Sequence, residues 1–72
     1  MIAIFKTNVA KTNDAKSIVK RLQELFPNAI VNFDLKDCDR ILRVENQAQD
    51  VEIKGIIDLL QQRGHLCEEL ND

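Results

Sequence analysis

The 72-residue sequence predicts an α+β domain, a two-layer sandwich in which a four-stranded antiparallel sheet carries two helices on one face. Three observations lead there. The apolar periodicity switches between two and about 3.6 residues in the order strand, helix, strand, strand, helix, strand. Each helical stretch ends on a breaker, Pro27-Asn28 after the first and Gly64 after the second. Only the turn-forming quartet Lys36-Asp37-Cys38-Asp39 separates the second strand from the third, so these two form an antiparallel hairpin.

The first strand, Ile2 to Thr7 (IAIFKT), is short and rich in β-branched and aromatic residues. Thr12, Asn13 and Asp14 carry the short oxygen-bearing side chains that cap helices. Behind them Ala15, Ile18, Val19, Leu22, Leu25 and Phe26 recur in steps of three and four, the spacing of one helix face. Val31, Phe33 and Leu35 alternate with Asn32 and Asp34, as in a strand buried on one side. Arg40 to Glu45 (RILRVE) is the third strand, and Asn46 to Asp50 a polar loop. The second helix buries Val51, Ile53, Ile56, Ile57 and Leu60, and Gly64 supplies the left-handed residue that stops it. His65 to Leu70 (HLCEEL) is the last strand. The usual solution for the order βαββαβ is the split βαβ, or ferredoxin-like, arrangement with strand order 4-1-3-2. The first loop, the hairpin turn and the Gly64-His65 corner then share one end of the sheet, where a site is expected.

The series Ile18-x-x-x-Leu22-x-x-Leu25, Pro27-Asn28, Val31-x-Phe33-x-Leu35, Leu42-x-Val44, Ile53-x-x-Ile56-Ile57 and Gly64-His65 is similar in order and spacing to a heavy-metal-associated domain. The resemblance covers nearly the whole chain and implies the ferredoxin-like fold. Such domains form copper chaperones and the N-terminal modules of metal-pumping ATPases, and they bind metal through a Met-x-Cys-x-x-Cys loop at the junction of first strand and first helix. Counting back from Ile18, the Met position falls on Val9 and the two Cys positions on Lys11 and Asp14; the junction from Asn8 to Ala15 holds neither Cys nor His. An ammonium has no lone pair to donate and a lone carboxylate is a hard ligand, so neither replaces a thiolate for Cu(I). The resemblance thus supports the fold and argues against the family's usual chemistry.

Seventy-two residues make one domain, near the lower limit for a core without disulfide or metal staples. A net charge of -2 provides no field for a polyanion, so nucleic acid is not an expected partner. The apolar runs fall far short of the roughly 20 residues that cross a bilayer, and Met1 leads into an apolar strand without a basic start or small-residue cleavage site. No membrane association and a cytoplasmic location are expected. Two cysteines, Cys38 and Cys67, are too few for a secreted disulfide framework and agree with a reducing compartment. With strand 1 between their strands they lie roughly 10 Å or more apart at about 4.8 Å per strand. A disulfide wants Cα atoms within about 7 Å. No cofactor and no catalysis are expected, because the single His has no nucleophile or carboxylate partner set by spacing. The third strand lacks the aromatics of RNA-recognition domains, and the first loop lacks the Arg and Gly-rich phosphate cradle of acylphosphatases.

Three features remain. Lys11, Lys16, Lys20 and Arg21 give the first helix a basic side which, with Lys6, suits either solvent or an anionic partner. His65 and Cys38, both at the loop end, are the candidate ligands of an atypical metal-binding or metal-delivery site, the alternative reading. If Ala3, Phe5, Thr7, Val31, Phe33, Leu35, Leu42 and Val44 face the helices, alternation sends Ile2, Ile4, Ile30, Ile41 and Leu66 to the open face. These aliphatics fall on adjacent strands, with Ile4 beside Ile41, and Phe33 is expected beneath Leu22 and Ile56. A monomer normally avoids a large exposed apolar patch. The main expectation is therefore a small non-catalytic interaction module whose open face takes a protein partner or a second copy about a two-fold axis.

Overall fold

The computed structural model describes residues 1–70. The elements are β1 (Ile2–Thr7), α1 (Thr12–Leu25), β2 (Ala29–Asp34), β3 (Ile41–Asn46), α2 (Ile53–Gln62) and β4 (Cys67–Glu69). The sheet order is β2-β3-β1-β4, the expected order read from its other edge, and every neighbouring pair is antiparallel.

Strand parity is as the alternation predicts. Ala3, Phe5, Val31, Leu42 and Val44 join Ala15, Ile18 and Leu22 of α1 and Ile56 and Leu60 of α2 in one buried cluster, so both helices cover the same sheet face. Ile2, Lys6, Ile30, Asn32, Arg43 and Glu68, of opposite parity, are exposed. Phe33 departs from expectation. The fully buried phenylalanine is Phe5, on the central strand β1, whereas Phe33 is half-buried at the margin of the core because β2 is an edge strand.

Element ends are set by long-range packing more than by local capping. Val9 is fully buried and donates its N–H to Thr7 Oγ1 (3.2 Å), which draws the chain into the core and makes Lys11 the N-cap of α1. Thr12, Asn13 and Asp14, expected as caps, form the first helical turn instead, and no side chain caps the helix. Val51, before the N-cap Glu52 of α2, and Ile56 both join the core, the positions of a hydrophobic staple. Gly64 adopts φ 84, with its N–H donating to the Gln61 carbonyl and that of His65 to the Leu60 carbonyl (both 3.0 Å), a Schellman stop. Because His65 is used there, and the Leu66 N–H donates to Asn8 Oδ1 (2.8 Å), β4 starts two residues later than the apolar pattern indicates. At the other end, Met1 and Asn46 exchange two bonds of 2.6 and 2.8 Å and extend β3 by one residue. The buried Asn46 side chain then accepts the N–H groups of Ala48 and Gln49 (3.0 and 3.1 Å) and turns the chain toward α2. No described helix is long and apolar enough to cross a membrane.

Candidate interaction surfaces

Across the open face, Ile2 stands opposite Glu45, and Glu45 opposite Ile30. In the next row Ile4 stands opposite Arg43, and Arg43 opposite Asn32. The Leu70 N–H donates to the Ile4 carbonyl (2.8 Å), placing Leu70 on the other flank of β1. In the third row Glu68 faces Lys6, and Ile41 faces Asp34; continuing the β1–β3 register by one residue sets Lys6 beside Ile41. Ile4 and Ile41 are therefore diagonal neighbours, not side by side, separated by roughly 7–8 Å. The aliphatics gather as Ile2, Ile4 and Leu70 at one end, with Ile30 in the row of Ile2 across Glu45 and Ile41 reached diagonally from Ile4. Leu66, 70% exposed, lies beside Asn8 at the opposite end of β4. Leu70 was legible in the sequence by the parity it shares with Leu66, but it was not singled out there.

The three connections expected at one end do meet there. The Thr7 N–H donates to the Asp39 carbonyl (3.1 Å) and its hydroxyl to the Arg40 carbonyl (2.6 Å), tying the hairpin connection to the end of β1. Asp34 Oδ1 accepts the N–H groups of Lys36 and Asp37 (3.1 and 3.3 Å) to start the turn. Arg40, at φ 47, closes it in the left-handed region, held by its guanidinium on the Leu35 carbonyl and its N–H on the Asp37 carbonyl (3.0 Å).

Cys38 is exposed in this turn, where its Sγ and one carboxylate oxygen each from Asp37 and Asp39 lie within 4.8 Å of one another. Both carboxylates are engaged: Asp37 Oδ1 accepts the Asp39 N–H (2.8 Å), and Asp39 pairs with Lys6 at 3.6 Å. His65 is half-buried at the corner after α2 and does not belong to this cluster; β1 stands between the hairpin and β4. Cys67, paired with Thr7 in the β1–β4 register, is buried, and burial pushes its thiol up to about 11. At neutral pH it is a protonated packing group rather than a thiolate ligand. Where the family resemblance puts Met and two Cys, the chain has core-packed Val9, exposed Lys11 and half-buried Asp14.

A separate groove of about 360 Å³ runs between α1 and the edge strand β2. Ala15, Val19, Phe33 and Leu35 line it with apolar surface, and Thr12, Lys16 and Lys20 complete its lining. Two members of the basic helix side seen in the sequence thus flank an apolar depression, a pairing that depends on where β2 lies and is invisible in a helical projection. Comparison with protein-family models, curated proteins and solved structures found no match.

Proposed function

We propose that this chain is a non-catalytic protein-interaction module, a ferredoxin-like scaffold of heavy-metal-associated type without the thiolate pair, which self-associates through its open sheet face in the cytoplasm. The observation that carries the reading is the cluster of exposed Ile2 and Leu70 with half-buried Ile4, on a face that also carries charges of both signs. Lys6 and Arg43 lie among Asp34, Glu45 and Glu68, so a two-fold rotation can set cations against anions while the aliphatics stack. Four strands about 4.8 Å apart and about 3.4 Å per residue over six residues give a face of roughly 19 by 20 Å. That is about 400 Å², roughly half of the about 800 Å² per partner that a standard stable interface buries. Association is accordingly weak and appears at high micromolar concentration.

Sedimentation and light scattering from micromolar to millimolar protein test this. The mass should rise from 8.3 kDa toward twice that value. Ile2→Lys with Ile4→Glu should abolish the rise and leave the circular dichroism intact, because Glu45 faces Ile2 and Arg43 faces Ile4, so each new charge gains a cross-strand partner. A parent that stays monomeric at millimolar concentration, or a folded double variant that associates as the parent does, refutes the reading.

A further inference from the structure

The sheet leaves one edge of β2 free, and the alternation of bonding in an antiparallel sheet shows which of its backbone groups point there. Met1 and Asn46 exchange both bonds, so Asn46, Val44 and Leu42 bond toward β1, while Glu45, Arg43 and Ile41 bond toward β2. Their partners across the register are Ile30, Asn32 and Asp34. The N–H and C=O groups of Ala29, Val31 and Phe33 therefore point out of the edge. Ala29 confirms the parity from the other side: its N–H donates to the Phe26 carbonyl (3.0 Å) and its carbonyl accepts Gln23 Nε2 (2.6 Å). No turn, cap or side chain among the described residues takes up the corresponding groups of Val31 and Phe33.

A strand added antiparallel at this edge has its residue opposite Phe33 directed to the same side as the Phe33 side chain, the helix side. That is the side on which the groove opens. Its floor is Ala15, Val19, Phe33 and Leu35, and its lip carries Lys16 and Lys20, one helical turn apart on α1. Among the described residues the ion pairs are Lys6–Asp39 and Arg21–Glu24, so neither lip lysine is neutralised.

We propose that β2 and this groove bind an extended segment of a partner protein, added as a fifth strand, with an apolar side chain in the groove and acidic side chains two residues to either side of it against Lys16 and Lys20. The unpaired backbone groups select an extended segment over a helix, which has no N–H and C=O pairs left to match them. The lip charge selects acidic flanks. The surface is distinct from the open sheet face, and the proposal does not rest on self-association there.

The probe is a blocked peptide Glu-Thr-Phe-Thr-Glu, titrated into the ¹⁵N-labelled full chain, with Lys-Thr-Phe-Thr-Lys as comparison. The Val31 and Phe33 amides should shift and become protected from exchange, and the acidic peptide should bind about fivefold or more tightly than the basic one. N-methylation of the central Phe should abolish binding. Lys16→Glu with Lys20→Glu, both at exposed helix positions, should reverse the preference between peptides. Equal affinity for the two peptides, shifts confined to residues away from β2 and α1, or no saturable shift at millimolar peptide overturns the proposal. The last result would assign the two lysines to protecting a bare edge from pairing.

Discussion

Replacing Phe5 and Phe33 singly by Ala separates the centre of the core from its margin. Phe5 is 0% exposed on the central strand, with β3 on one side and β4 on the other, so truncation loses its whole burial and leaves a cavity. That costs about 3 to 5 kcal/mol. A domain of this size has about 3 to 5 kcal/mol in total. Phe5→Ala should therefore be largely unfolded in buffer, with most of its amide dispersion and near-native circular dichroism lost. Phe33 is half-buried and already borders an open groove, so truncation enlarges a solvent-accessible depression instead of making a void. Roughly half of the 1.5 to 3 kcal/mol for full burial is at stake, about 0.8 to 1.5 kcal/mol. With a urea slope near 1 kcal/mol per molar for a small domain, the Phe33→Ala midpoint should fall by about 0.8 to 1.5 M while the native baseline remains. Urea titrations followed by circular dichroism measure both. If Phe33→Ala unfolds as completely as Phe5→Ala, the assignment of β2 to the core margin is wrong; if Phe5→Ala keeps the parent's midpoint, the strand parity is wrong.

The two glycines should respond in opposite senses to Ala. At Gly64 a Cβ meets open space but φ is 84, so Gly64→Ala should lower stability by about 1 to 2 kcal/mol through the backbone alone. At Gly55, inside α2, the nearest atom is the flexible Glu52 Cγ at 3.1 Å, and Gly55→Ala should raise stability by about 0.5 to 1 kcal/mol. Urea midpoints check both, and a matching sign refutes the distinction. Cys67 makes stability depend on alkaline pH: the folded thiol holds its proton to about 11 while the unfolded one releases it near 9.0. The folded state thus binds more protons in that window, and the stability present below pH 9 is lost between about 9 and 11. Cys67→Ala should remove that part of the decline, and at pH 8 iodoacetamide should label exposed Cys38 well before Cys67; equal labelling rates would contradict the buried thiol.

Local pattern was enough to order the elements, to put Ala3, Phe5, Leu42 and Val44 inside and Ile2 and Ile30 outside, and to stop α2 at Gly64. A period of two leaves one binary choice per strand, and only glycine takes φ 84 at a helix end without cost. Tertiary structure alone decided the rest. Whether Ile4 meets Ile41 or Arg43 depends on register, and that register is anchored by bonds such as Met1 to Asn46, 45 residues apart. Whether Phe33 is central or marginal depends on the groove left between α1 and the edge strand β2, which alternation does not report. The helix start at Lys11 rather than a cap-forming residue follows from the burial of Val9, and the groove under Lys16 and Lys20 exists only because α1 and β2 lie against each other. Periodicity reports which side of a segment is apolar; which groups then become neighbours is settled by contacts between segments distant in the chain.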